Sequence, residues 1–296
     1  MKPSVFVVVL AWNRWSDTQE CLHSLVQSQP EETQLLVVDN GSTDGTADRV
    51  RGSFPQVTLM RLPQNVGVNR GYNAGMERAM CEGAEFIIVM NNDTWAYPGL
   101  VDGLVSALRE HPEAGVAAPK IVFYDDSEKI WSAGARWRSF PPGVKFLGLE
   151  RRDGPCFNEP RDLEFATSCC LALKTGVLRE VGLFDPAYMF YYDDWDFALR
   201  VRRRGYTIRY VPSAVVKHKV SASTTKQDQS GHWAAIEGRD CVRFYLRNVG
   251  GLALVVMTLW VVLRELVRGH LRQAVAYVHG TGQGLAVALA DRRVSL

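Results

Sequence analysis

Short apolar runs alternate with longer stretches in which apolar residues recur every three or four positions. Val5–Leu10, Gln34–Asp39, Val57–Arg61 and Phe86–Met90 predict strands. Between them, Asp17–Gln27 predicts a helix capped by Ser16 or Asp17, and the turn Asn40–Thr46 opens a second one. Gly71–Cys81 and Leu100–Glu110 complete the set, the latter closed by His111-Pro112. Strands alternating with helices imply βαβ units, hence an α/β chain with a Rossmann-like, mostly parallel central sheet flanked by helices. In such sheets ligands sit beyond the carboxyl ends of the strands. Polar clusters fall at three of those ends: Trp12-Asn13, Asp39-Asn40 and Asn91-Asn92-Asp93.

From Phe123 to Glu164 the periodicity weakens, and tryptophans, prolines and glycines predict irregular chain with short antiparallel strands. Ala166–Leu173, Tyr206–Val211 and Ala214–His218 then predict strands, and Thr175–Val181 and Asp194–Arg204 helices. The first apolar run is followed at once by Asn13, Arg14 and Asp17 and reads as a buried strand, not a signal peptide. Val249–Leu263 is apolar on all faces but, at 15 residues, shorter than the roughly 20 needed to cross a bilayer. Arg264, Arg268 and Arg272 follow at helical spacing. This segment predicts a C-terminal helical extension that lies on a membrane surface, or else closes the core or a homodimer interface.

Composition narrows the classes. Among 296 residues, 34 Lys+Arg against 32 Asp+Glu leave a formal charge of +2, without the basic surplus of a nucleic-acid binder. Hydrophobic residues at 47% and charged residues at 22% exclude a disordered chain. The six cysteines, Cys21, Cys81, Cys156, Cys169, Cys170 and Cys241, have neither CxxC nor zinc spacing, which points to reduced thiols in a cytoplasmic setting.

Four constellations carry chemistry. Asp39, at a strand end before Asn40-Gly41, suits the ring N–H of a pyrimidine or a ribose hydroxyl, although turn chemistry alone would also place it there. In Asn65–Asn73, two glycines allow backbone to approach a ligand and Arg70 suits a phosphate, with Asn73 and Gly75 at the start of a helix. Asp93 ends Asn91-Asn92-Asp93, and one carboxylate suffices for a divalent cation that bridges diphosphate oxygens. Asp193, Asp194 and Asp196 crowd at a helix start, which raises at least one pKa and suits a general base. His218, flanked by Lys217 and Lys219, is a candidate to complete the metal site.

Together these residues resemble the family 2 inverting glycosyltransferases of GT-A fold. The matching segments are Val5–Arg14, Val37–Thr46, Asn65–Gly75, Met90–Thr94, Gly182–Tyr206 and Tyr210–His218, in order and spacing. The NND form, the FDPAYMFYYDDWDFALR block and RFYLRN at Arg243–Asn248 look most like the rhamnosyltransferase branch, which builds cell-surface polysaccharides. The resemblance implies a glycosyltransferase domain over residues 1–247, with residues 1–120 as its nucleotide-sugar half and 121–247 as its acceptor and catalytic half, followed by the extension 248–296. It implies that Trp12, Asn13 and Asp39 hold the nucleoside, that Asn69, Arg70 and Asn92 lie along the donor, and that Asp93 with His218 binds Mg²⁺ or Mn²⁺. Asp194, or Asp193 beside it, would be the base. Asn91 stands where the family pattern has its first Asp, and Asp193 where it usually has Glu.

The expectation is thus a metal-dependent hexosyltransferase on the inner face of the cell membrane. It would move a sugar from a nucleotide donor, dTDP-rhamnose foremost and a UDP-sugar second, to a glycan or lipid-linked hydroxyl. Its competitors are a sugar nucleotidyltransferase and a non-catalytic, membrane-associated scaffold subunit.

Overall fold

The computed structural model describes residues 4–28, 30, 32–220 and 230–294, with side chains to residue 290. A sheet of ten strands forms its centre. Strands β1 (Val5–Ala11), β2 (Thr33–Asp39), β3 (Thr58–Arg61) and β4 (Phe86–Asn91) pair in parallel in the order β4-β1-β2-β3. The near-continuous Val, Ile and Leu content of β1, β2 and β4 reflects burial on both faces, while the edge strand β3 is only half-buried. The covering helices are α1 (Trp15–Ser28), α2 (Thr46–Ser53), α3 (Val68–Cys81) and α4 (Leu100–Glu110).

Beyond β4 the sheet changes direction. After the short β5 (Thr94–Ala96), the chain forms β6 (Ala114–Phe123), a long strand absent from the sequence expectation. Its Ala117-Ala118-Pro119-Lys120 centre lacks the apolar run that marks the others, yet every residue from Ala114 to Val122 is buried. The buried Lys120 ammonium is taken up by Asp153, at 2.7 Å, and Asn158. β7 (Ile130–Ser132) adds to β6, while β8 (Ala135–Arg138) and β9 (Gly143–Phe146) form a separate hairpin. β10 (Arg161–Leu163) lies at the sheet edge. β11 (Cys170–Lys174) inserts antiparallel between β4 and β6. Then come α5 (Thr175–Val181), α6 (Asp193–Arg203) and β12 (Thr207–His218). The two strands expected over Tyr206–His218 are this one strand, its register to β6 shifting between Val211 and Val215.

Three helices finish the chain: α7 (His232–Asn248), α8 (Gly251–Val267) and α9 (Leu271–Val294). Among the described residues no helix is long and apolar enough to cross a membrane. α8 ends at Gly269, whose φ of 76° is the left-handed conformation that terminates helices. Arg264, Arg268 and Arg272 therefore do not share one helix face, contrary to their spacing: the break separates Arg272, on α9, from the other two, which pair with Glu265 at 2.8 and 3.6 Å. α9 crosses α7 at very close range. A Cβ at Gly238 or Gly280 would collide with backbone of Tyr277 or Ala235, so only glycine permits this approach.

Candidate active site at the carboxyl ends of the strands

The first cluster is built where β1 and β2 stop side by side, Ala11 in register with Asp39. Asp39 is fully buried; its Oδ1 accepts the Ser42 N–H at 3.3 Å. Oδ2 has no hydrogen-bond partner, and the nearest cation, Arg61 Nε, is 3.7 Å away. A buried carboxylate oxygen left without a donor is costly unless a ligand supplies one. Asn13 faces this group. Its N–H donates to Ser42 Oγ at 2.7 Å, its Oδ1 accepts the Thr43 N–H at 2.9 Å, and its backbone is left-handed, with φ 55°. Trp12 beside it is 49% exposed, unusual for an indole and suited to covering a ring.

Asn40 joins this rim to the next loop, donating to Asn65 Oδ1 at 3.1 Å and Gly67 O at 3.2 Å while its Oδ1 accepts the Val66 N–H at 3.0 Å. The loop leads into α3, which starts at Val68, earlier than predicted. Arg70 is exposed on its first turn. Asn69 is buried, and its Nδ2 donates to Tyr188 O at 3.1 Å. Asn73 lies inside the helix and exchanges hydrogen bonds with the Phe184 backbone, at 2.8 and 3.1 Å. Gly71 and Gly75 face Leu10 and Val8 on β1, so they serve close helix–sheet packing and not the approach of a ligand expected of Gly71.

The pairing of β5 with β12 puts Thr94 opposite His218 and so brings Asp93 to that histidine. Asp93 Oδ1 and His218 Nε2 are 3.3 Å apart, and Lys219 N–H donates to the Asp93 carbonyl at 3.0 Å. Burial pushes the Asp93 carboxyl up, but the hydrogen bond and charge of His218 more than reverse this and hold it below the usual range. His218 Nδ1 is buried without a partner, and the Trp131 ring packs edge-on against the imidazole at 4.7 Å. Asn92 Nδ2 donates to Thr18 Oγ1 at 2.9 Å, and Asn91 Oδ1 accepts from Tyr72 at 2.6 Å, so both amides brace the turn. Among the described residues no group of three His, Cys, Asp or Glu side chains could enclose a metal ion. One carboxylate and one imidazole still fit a cation that takes its other ligands from water and a diphosphate.

The three carboxylates at the start of α6 have separate fates. Asp196 is buried and spoken for: Arg200 Nε lies 2.8 Å from Oδ2, and Tyr188 and Asn248 donate to Oδ1 at 3.3 and 3.2 Å. Burial pushes the half-buried Asp194 up to about 6, against the polar groups of Trp195, Ser168 and Thr167 around it, which favour its charged form and pull it down. Asp193 is buried, and that burial, followed by the adjacent charge of Asp194, holds it well above the ordinary range. Thr167 and Ser168 precede Cys169, whose carbonyl accepts the Asn91 N–H at 2.9 Å, so the groups that lower the Asp194 pKa adjoin in sequence the residue bonded to the end of β4. Thr167 and Ser168 are not singled out by the sequence; no local pattern marks them.

The model of glycosyl transferase family 2 matches residues 6–182. A relative from Mycobacterium tuberculosis (strain ATCC 25618 / H37Rv), N-acetylglucosaminyl-diphospho-decaprenol L-rhamnosyltransferase, is 28% identical over 77% of this chain and 80% of its own. The O-antigen chain rhamnosyltransferase WbaN of Salmonella anatum is 22% identical over 84% of this chain and 76% of its own. Among solved structures, a mannosyltransferase from Pyrobaculum calidifontis in complex with GDP-Man and Mn²⁺ superposes with a TM-score of 0.56 at 17% identity, covering 96% of this chain and 88% of that one. GalNAc-T7 with UDP, GalNAc and Mn²⁺ gives 0.60 at 16% identity over 73% of this chain, which spans only 43% of that longer one. These likenesses give the fold as GT-A.

Proposed function

Because the chain belongs to glycosyl transferase family 2, we propose that it is an inverting, metal-dependent rhamnosyltransferase. Its donor is dTDP-rhamnose and its acceptor a hydroxyl of a lipid-linked sugar diphosphate, in the assembly of a cell-surface polysaccharide. The observation that carries the mechanism is the pairing of Asp93 with His218 at 3.3 Å beyond β4, with the raised Asp194 carboxyl on the first turn of α6 as the base. Asp194 takes the proton of the acceptor hydroxyl, and the freed oxygen attacks the anomeric carbon. The bond from that carbon to the diphosphate breaks on the opposite face, and the nucleoside diphosphate departs with the electron pair. Asp39 Oδ2 accepts the ring N–H of the pyrimidine, Asn13 shapes the loop around it, and Trp12 covers the ring. Arg70 faces the diphosphate. Asp93 and His218 would hold a divalent cation, which supplies charge neutralisation for the leaving diphosphate; the imidazole favours Mn²⁺ over Mg²⁺.

Donor and acceptor come by analogy with the two rhamnosyltransferase relatives. A lipid-linked acceptor agrees with the apolar surface of α8 and α9, where Leu252, Val255, Leu259, Leu263, Val267 and Leu271 are exposed. With Arg264, Arg268 and Arg272 nearby, this surface fits an anionic membrane face at the cytoplasmic side. Side-by-side turnover of dTDP-rhamnose, UDP-galactofuranose, UDP-glucose and GDP-mannose tests the donor. Release of nucleoside diphosphate with the first is expected, and a clear preference for GDP-mannose discards it. Formation of a nucleoside triphosphate and a sugar 1-phosphate when pyrophosphate is supplied with the nucleotide sugar would mean a nucleotidyltransferase, and no reaction with any donor a scaffold. Flotation with vesicles of phosphatidylglycerol and phosphatidylcholine tests the surface. Binding that Leu259→Glu/Val267→Glu abolishes is expected; dimers in light scattering that the same change dissolves would assign the surface to a second copy.

A further inference from the structure

The turn that delivers Asp193 and Asp194 is held from outside, by α7. The Asp240 carboxylate on that helix is buried, and its Oδ2 accepts the N–H groups of Met189, Phe190 and Tyr191, each at 3.0 Å. The next residue, Tyr192, has a φ of 66°, left-handed for a bulky side chain, which persists only where its surroundings impose it. One helical turn beyond Asp240, Phe244 stacks on the Tyr192 ring at 5.3 Å. Asp193 follows as the first residue of α6. The same helix fastens the segment on both sides: Arg243 and Arg247 reach Asp185 at 2.8 and 2.6 Å, and Asn248 reaches Asp196 at 3.2 Å.

We propose that Asp240 is a positioning residue: by gathering three successive amides onto one oxygen it sets the turn that aims the base at the acceptor. Three amides converging on a carboxylate are strong, charge-assisted bonds, and each amide would otherwise be an unsatisfied donor. Asp240 makes its hydrogen bonds to the turn before α6 and reaches the donor side only indirectly, through Tyr188 and Asn69, so its loss should weaken aim well before donor binding. This proposal rests on the assignment of the base to the Asp193–Asp194 pair.

The test compares Asp240→Ala, Asp240→Asn and Asp194→Asn in the full chain. A misaimed base costs on the order of 10²-fold in turnover, and Asp240→Ala should show that loss with donor affinity unchanged in calorimetric titration. Asp240→Asn keeps a carbonyl oxygen for the three amides and should recover at least tenfold of it. Hydrogen exchange at the amides of 189–191 should accelerate in Asp240→Ala and return towards the parent in Asp240→Asn, whatever the donor proves to be. If Asp240→Ala does not fold, Asp240→Ser, whose hydroxyl is too short to reach three amides, takes its place. Unchanged turnover, unchanged exchange, equal loss of donor affinity, or an Asn variant as impaired as the Ala variant overturns the proposal. Full turnover in Asp194→Asn instead removes the base assignment, and the exchange measurement still decides the clamp.

Discussion

Replacing Thr167 by valine removes one hydroxyl from beneath the base and little volume. That hydroxyl is among the groups that hold the Asp194 pKa down against burial. Losing a donor to the charged form favours the neutral acid, so the pKa must rise. A hydrogen bond to a charged group contributes roughly 1.5–3 kcal/mol, of which part is regained from water because Asp194 is only half-buried. A loss of about 1.4 kcal/mol moves the pKa by about one unit. From a starting value of about 6, the ionised fraction at pH 6 falls from about one half to about one in eleven, a loss of about fivefold. At pH 8 the same shift leaves about nine-tenths ionised against nearly all, a difference hard to measure. The assay is kcat/KM against pH, whose acid limb reports the base in the free enzyme. The parent should lose activity below about pH 6, and Thr167→Val should displace that limb upward while keeping the alkaline plateau. A limb that stays put or moves to lower pH, or a loss equal at every pH, would refute the assignment of Asp194 as base.

Three further outcomes are expected. Asp193 is held above its ordinary pKa, so ionising it costs stability as pH rises from the unfolded value near 4; Asp193→Asn should raise Tm at pH 8 and change it little at pH 4, and calorimetry showing the larger gain at pH 4 would contradict this. Asp93→Ala should abolish the strengthening of dTDP binding by Mn²⁺ in calorimetric titration, and His218→Ala should reduce it less; equal Mn²⁺ dependence in parent and Asp93→Ala removes the metal assignment. Gly280→Ala drives a methyl group into the Ala235 backbone and should cost about 2–3 kcal/mol in denaturant unfolding, against less than about 1 kcal/mol for Gly282→Ala, which meets nothing within 4 Å.

The parallel half of the sheet was legible because its strands are buried on both faces and leave an apolar run in the sequence. β6 was not, since Pro119 and a buried Lys120 interrupt its pattern and only Asp153 and Asn158 explain how that ammonium is tolerated. The positions of Asp39 at a strand end, of Asp93 just beyond one, and of the Asp193–Asp194 pair at a helix start were legible from the element boundaries; their proposed roles await the tests above. The glycines of α3 and the acid at Asp196 looked chemical and proved to be packing and an ion pair. The groups that tune and hold the base, Thr167 and Asp240, sit some 27 and 46 residues from Asp194 in sequence. No local periodicity links residues so far apart; only the fold brings them together.

β11 runs antiparallel between β4 and β6, so a strand from the later part of the chain is hydrogen-bonded on both sides within the sheet that the nucleotide strands begin. There is consequently no seam along which the two parts of the molecule can swing apart. Any opening and closing around a donor then falls to the loops at the strands' carboxyl ends and not to hinge bending of whole lobes. The same continuity predicts that heat or denaturant removes donor binding and the sheet's far-ultraviolet signal in a single coincident transition.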